Sequence, residues 1–484
     1  MNCMAHHSKF AGIPQRPLLL PATVPFASHL SMPRSSTSRP SSCDAGPAVL
    51  DNGGGAGAPR RSRSPMPDID LLLSISRGFD NVIRDPVWGD IQFDDSLFAL
   101  ARTQTFLALD GVRQLGPVAH LYPGATHTRR GHSLGVYHIA RRLALSLIER
   151  GQIPFVSVEG LRSLLVSALF HDLGHYPFAH SLKELPLAPH EALAGDLVQR
   201  EPLRSVILRS GAEPEQVASI IDGDRPSPED RETALFRRIL SGVLDPDKID
   251  YLTRDAFYCG VPYGIQDADF ILRHILVEGD GLCVDARGEM SIEALLFSKY
   301  QMYRSVYWHH TVRSATSMAK KSVLMGLSAG IIQPESLYGL DDAGFRSLVA
   351  GNTSPMLQPV KDAFAGRLYT LIGEVAYNPE NMIHADLDNL DRRLEAEAAL
   401  AMAAEIGESS IVIDIPEPID FETNLMVKTR EGLEPFALRT RVFGHDSLKG
   451  LVQSLRKIRV FAHPQADTAS LRGLARELLS GALN

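Results

Sequence analysis

The chain has 484 residues, enough for two or three domains and at least one large core. It is 44% hydrophobic and 22% charged, a soluble globular composition, and its formal net charge of -8 disfavours wholesale coating of nucleic acid while leaving local basic patches open. Cys3, Cys43, Cys259 and Cys283 form no CxxC pair, which argues against a disulfide framework or a cysteine-built zinc site and for a reducing cytoplasm; no run approaches the roughly 18–20 apolar residues of a membrane helix, so no membrane partner is expected.

Residues 1–65 are rich in Ser, Pro, Gly and Ala and include GGGAGAPRRSRSP, so they read as a disordered tail, or as the product of a misplaced start ahead of Met66. PLLLPATVPFASHL is too short and too broken by proline for a signal peptide. A second region, 66–330, has helical periodicity almost throughout. GHSLGVYHIARRLALSLIER sets Leu134, Ile139, Leu143 and Leu147 on one face, and VEGLRSLLVSALFHDLGH repeats the behaviour and is expected to stop at Gly174. A third apolar stretch, RETALFRRILSGVLDPDKIDYLTRDAFYCG, is interrupted near Pro246, and residues 291–332 read as one long helix or two in sequence. The third region, 331–484, opens with a charged amphipathic helix over DLDNLDRRLEAEAALAMAAEIG. Strand candidates follow at 410–416, 424–430, 436–443 and 458–464, and LRGLARELLSGAL closes the chain as a helix. The expected fold is mainly α: a helical core with a smaller C-terminal α+β module.

Chemistry concentrates in FHDLGHYPFAH, residues 170–180, where three histidines and an aspartate sit among Phe170, Leu173, Pro177 and Phe178. Neighbouring His171 and Asp172 at a helix end suit one divalent ion, of identity Mn, Mg, Fe, Co, Ni or Zn. Two ligands are too few, so His132 and Asp247 are candidates for the rest, a set that leaves positions open for water and substrate. His175 lies three residues after Asp172 and faces the same pocket if the turn stays helical. Asp250 and Asp255 also read as partners for arginines.

These residues resemble the HD-domain phosphohydrolase superfamily, in particular the dNTP triphosphohydrolases, which include bacterial dGTPases and the vertebrate SAM-and-HD-domain enzyme. The similarity runs in five blocks: QLGPVAHLYPGATHTRRGHSLGVYHIA (114–140), ALFHDLGHYPFAHSL, PHEALAGDLV (189–198), DPDKIDYLTRDAFYCGV and MYRSVYWHHTV. The resemblance implies an HD-domain fold with one metal ion on His132, His171, Asp172 and Asp247. It implies that His175 and His190 line the phosphate side, that His180 protonates the departing sugar oxygen, and that Arg129 and Lys248 grip phosphates, with Lys299 where the family can carry an arginine. Gln114, Tyr251 and Asp255 would meet the deoxyribose 3′-hydroxyl, Leu115 the base, and Tyr307 the sugar, where a ring excludes a 2′-hydroxyl. Glu191 reads as orienting His190 or assisting proton transfer. Three positions after His180 the family often has an acidic residue; here Lys183 stands there and Glu184 follows.

The chemistry agrees with those roles. A triphosphate carries about four negative charges, so its site needs a metal and fixed cations. A metal lowers the pKa of a bound water, and a histidine can supply the leaving group's proton. The implied activity is hydrolysis of dNTPs to deoxynucleoside and triphosphate. Two rivals are an HD phosphatase or phosphodiesterase on another nucleotide, and a nucleotide- or nucleic-acid-binding regulator with an inactive HD site. By analogy a homo-oligomer is expected and a nucleotide effector is open.

Overall fold

A computed structural model describes residues 68–226, 230–279, 281–419, 421 and 423–480. The expected tail, 1–65, lies outside the described residues, and residues 63–484 form one compact unit. Helices dominate, and no described helix is long and apolar enough to cross a membrane.

The helix Val158–Phe170 is the centre of the N-terminal half. Ser157 caps it by accepting from the Gly160 amide, and every residue from Gly160 to Phe170 except Arg162 is buried. A helix apolar on nearly all sides must be covered on all sides. Helices Arg129–Glu149 and Pro214–Ile221 pack on it, and Pro246–Cys259 crosses Arg129–Glu149. The last of these starts from a strong signal: Asp245 accepts from the Lys248 amide, Pro246 takes the first helical position, and Gly260 ends it at φ +67°.

The central helix stops at Phe170, four residues before the expected Gly174. Gly174 has a different task. A Cβ there would lie 2.0 Å from the His190 carbonyl oxygen, so only glycine lets the helix His190–Val198 approach this closely. Gly135 does the same in Arg129–Glu149, where a Cβ would lie 1.8 Å from Asp250 Oδ1. The stretch 291–332 resolves into two helices, Glu289–Met302 and His310–Ser328, joined by a π-turn at Tyr303–Tyr307.

Strands depart from the expectation in both halves. Inside the region read as helical lie two antiparallel hairpins, β1 (Asn81–Asp85) with β2 (Gly89–Phe93), and β3 (Ile275–Glu278) with β4 (Gly281–Asp285). In the C-terminal half β5 (Thr370–Ala376) was not foreseen; its register shifts between Leu371 and Gly373. The strands β6 (Ile411–Asp414) and β7 (Met426–Lys428) lie within expected segments, β9 (Lys457–Ala462) begins one residue ahead of the expected 458–464, and β8 is Leu433–Pro435. The expected strand 436–443 is instead a helical turn, Phe436–Arg439. Phe436 is buried while Leu438 is 83% exposed, so the alternation that suggested a strand has no sheet to pair with.

Two sheets organise the second half. The antiparallel sheet β5-β9-β6 is backed by helices Leu390–Ala403 and Thr468–Ser480 around Ile372, Ile411, Ile413, Ile458, Val460 and Leu471. The other, β3-β4-β7-β8, straddles the expected border at 330, with β4 and β7 parallel. Helix His310–Ser328 is tied to β6 by Arg313, whose Nε and Nη2 donate to Asp414 at 2.8 and 2.5 Å. Leu165 is fully buried mid-way along the central helix. Leu165→Ala is expected to cost about 2–5 kcal/mol, read as a lower urea midpoint with unchanged slope.

Candidate metal centre and active site

A cavity of about 570 Å³ opens at the C-terminal end of the central helix. His132, His171, Asp172 and Asp247, drawn from two helices and the turn after Phe170, meet on its floor. His132 Nε2 is 2.9 Å from Asp247 Oδ1 and 3.9 Å from Asp172 Oδ2, and His171 Nε2 is 3.4 Å from Asp172 Oδ1. His132, His171 and Asp172 each present one ligand atom within 4.8 Å of the others.

The donor chemistry suits a divalent ion. His171 Nδ1 is 3.0 Å from the Ala168 carbonyl oxygen, to which it donates; that fixes the tautomer and leaves buried Nε2 as a base with no hydrogen-bond partner. On His132, Nδ1 lies 2.8 Å from Asp250 Oδ2 while Nε2 faces the other ligands. Burial disfavours the imidazolium of His132, but hydrogen bonds with Asp247 and Asp250 outweigh it and push the group up to about 10. The field that holds a proton there also attracts a cation.

The wall beside Asp172 holds the second group. His175 Nδ1 lies 3.0 Å from Asp172 Oδ1, and His175 Nε2 lies 3.1 Å from His180 Nε2. The His190 ring is centred 3.7 Å from that of His175, and His190 Nδ1 is 3.1 Å from Glu191 Oε2. His175 and His190 are buried, whereas His180 is exposed to the cavity. Burial and Arg129 lower His175 to about 4; burial, with Arg129, His175 and Lys183, holds His180 well below the usual histidine range. For all three imidazoles desolvation is the first cause, and it disfavours the charged form. Asp172 goes the other way: burial opposes its charge, but His175, Arg129 and His171 keep its carboxyl well below the usual range.

The cavity is also lined by Gln114, Leu115, Arg129, Lys248, Tyr251, Asp255, Lys299 and Tyr307. Gln114 presents a buried Oε1 with no hydrogen-bond partner. Three of the expected ligand contacts already have protein partners. Arg129 Nη1 donates to Asp172 Oδ2 at 2.9 Å. Lys248 Nζ donates to Asp245 Oδ2 at 2.7 Å and to the Gly242 carbonyl at 2.8 Å. Asp255 Oδ2 accepts from the Tyr307 hydroxyl at 2.6 Å, and its Oδ1 lies 2.7 Å from His127 Nε2. Lys299 stands 5.8 Å from the centre of the Phe421 ring.

Several residues with clear structural work have no site role assigned from the sequence. Asp250 holds His132 and also accepts from Trp88 Nε1 and twice from Arg254, which in turn donates to Asp85 at 2.8 Å. The i, i+4 spacing of Asp250 and Arg254 was the available clue. His127 lies inside the 114–140 block but contacts Asp255, 128 residues away, and nothing local announces that. Glu184, Ile415, Glu417 and Ile419 also line the cavity.

Residues 129–245 match the family model described as HD domain, and residues 266–479 match the HD associated region. An uncharacterised protein of Methanocaldococcus jannaschii is 29% identical over 380 residues, 78% of this chain and 76% of that protein. One of Bacillus subtilis is 35% identical over 249 residues, 50% of this chain and 55% of that protein. The deoxynucleoside triphosphate triphosphohydrolase SAMHD1 homolog of Dictyostelium discoideum is 24% identical over 426 residues, covering 82% and 78%. A crystal structure of a hypothetical protein from Aquifex aeolicus superposes with a TM-score of 0.63 at 25% identity, covering 82% of this chain and 99% of that one.

Asp250→Asn should weaken divalent-metal binding by about 10- to 100-fold, because the partner that aims His132 loses its charge. Equilibrium dialysis against Mn²⁺ measures this, with Asp172→Ala as the variant expected to bind no ion.

Proposed function

For a member of the HD-domain phosphohydrolase superfamily, we propose a metal-dependent phosphohydrolase that hydrolyses dNTPs to deoxynucleoside and triphosphate. The observation that carries the reading is the adjacency of two unlike groups in one cavity: a His132, His171, Asp172, Asp247 donor set and, across Asp172, the trio His175, His180 and His190. The likeness to a dNTP triphosphohydrolase homolog over 82% of this chain supports the same substrate class.

The donor set would hold one divalent cation, whose contribution is Lewis acidity toward a phosphoryl oxygen and toward water. The chain's own groups do the rest. A water oxygen forms a bond to the α-phosphorus and releases one proton to solvent, from which His180 is later re-protonated, and the bond from that phosphorus to the sugar O5′ breaks. The departing O5′ takes a proton from His180 Nε2. Arg129, His175 and His190 face the phosphoryl oxygens, where negative charge grows. Desolvation, and after it Arg129, His175 and Lys183, disfavour the charged form of His180, and the negative charge of a bound triphosphate would act in the opposite direction, toward the protonated acid this role requires. Lys248 and Lys299 supply further positive charge along the phosphate chain.

The sugar side is proposed to rest on Gln114, Tyr251 and the Asp255–Tyr307 pair. With Tyr307 tied to Asp255, its ring is a fixed wall, and a fixed wall discriminates against an added 2′-hydroxyl better than a mobile one. Leu115 would meet the base. The engaged oxygens of Asp255 favour one alternative, a phosphatase or phosphodiesterase on another nucleotide that uses the same floor without a 3′-hydroxyl contact.

Protein supplied with Mn²⁺, Mg²⁺, Co²⁺ or Fe²⁺ and each of the four dNTPs is expected to release deoxynucleoside and tripolyphosphate, resolved by chromatography, with matching rNTPs turned over far more slowly. Nucleoside monophosphate and pyrophosphate as main products would refute the proposed bond cleavage. His180→Ala should lower kcat by about 10²- to 10⁴-fold while leaving metal stoichiometry unchanged.

A further inference from the structure

The segment that carries His180 is fastened at both ends by residues from later in the chain. At its start Phe178 adopts a left-handed backbone, φ +65° and ψ +10°, unusual for a bulky residue. Its ring sits 5.8 Å from that of Phe345 and 6.3 Å from that of Phe364. The turn Ala179–Leu182 follows, closed by amides of Ser181 and Leu182 donating to the Phe178 carbonyl. At its end Glu184 meets two cations. Lys320 Nζ donates to Oε2 at 2.5 Å, and Arg393 reaches both oxygens, Nη1 to Oε2 and Nη2 to Oε1, each at 3.2 Å. The Arg393 side chain is 2% exposed and is held by donating to the Leu387 and Asp388 carbonyls at 3.0 and 3.1 Å. Burial works against the Glu184 charge, but Lys320 and Arg393 outweigh it and lower its pKa.

We propose that Glu184 and Arg393 are positioning residues for His180: the HD-associated half sets the place of the proton donor by clamping the 178–184 segment. The proposal rests on the reading of His180 as the acid. A bidentate guanidinium–carboxylate pair fixes direction as well as distance, which suits a group that must meet one oxygen atom. Strain at Phe178 persists only where the surroundings over-determine it, and the two anchors provide that. Neither anchor touches the four metal-ligand candidates.

The test compares Glu184→Gln, Arg393→Met and Arg393→Lys on two substrates, a dNTP and p-nitrophenyl triphosphate, a phosphate ester in which the phenolate stands in the place of O5′ and leaves without a proton. On the dNTP, Glu184→Gln and Arg393→Met should lose about 10- to 100-fold in kcat with KM within about 3-fold. On the p-nitrophenyl ester the loss should stay below about 3-fold, and Arg393→Lys should recover part of the dNTP rate. Equal losses on both substrates, or none, would overturn the proposal. Hydrogen exchange gives a second readout that needs no turnover. Amides of 178–185 should exchange faster in Glu184→Gln and Arg393→Met while those of 129–149 stay protected; no change at 178–185, or equal loosening of both, sinks the clamp. Failure of dNTP turnover by the unsubstituted protein would remove the substrate reading and leave the clamp to be decided by exchange.

Discussion

The carboxylate of Asp172 is the constraint on which the site is built. It is 2% exposed and sits between four charged or ionisable neighbours: His175 and His171 on one oxygen, Arg129 and His132 on the other. A buried anion without such partners would cost several kcal/mol. The chain meets that demand by ending an apolar helix one residue before His171, so the pair enters the cavity on rigid backbone. Gly174 then brings His190 up against His175. Changing the charge of Asp172 would affect both groups at once, since it lies against His132 and His171 among the metal-ligand candidates and His175 in the histidine trio.

Environment gives the same residue type opposite tasks. His132 lies between Asp247 and Asp250 and is pushed up to about 10, whereas His175, against Arg129, is brought down to about 4. One carboxylate stands between a carboxylate-rich group around His132 and a cluster of three imidazoles beside Arg129 whose charged form is disfavoured. That division follows from which residues were placed within hydrogen-bond reach, and it matches the general pattern in which a site separates the pKa values of like groups to assign them different roles.

What was legible in the sequence was local. FHDLGH at the end of an apolar helix, DPDK at the start of another, and the helical periodicity around each needed only near neighbours to be read. The residues that escaped act over long separations. His127 and Asp255 are 128 positions apart, and Glu184 and Arg393 are 209. A single sequence contains no trace of such pairs until the fold closes them. The strands failed for a related reason. β3 and β4 are short and embedded among helices, and β4 finds its second neighbour, β7, only after some 140 intervening residues, so local pattern carried little of their stability. The converse error at 436–443 has the same root: alternation was present, but no neighbouring strand was.

The placement of the C-terminal half bears on how substrate choice and chemistry are separated in this molecule. Ile415, Glu417 and Ile419, which continue from β6, form a wall of the cavity, and Arg393 and Phe345 hold the segment bearing His180. None of these belongs to the histidine–aspartate motifs. Substitutions in the wall can reshape the space offered to a base or sugar without disturbing the floor, because the floor is supported by a separate set of ion pairs through Asp250, Arg254 and Asp85. The motif residues therefore make the floor of the cavity, while Ile415, Glu417 and Ile419 from the C-terminal half shape one of its walls.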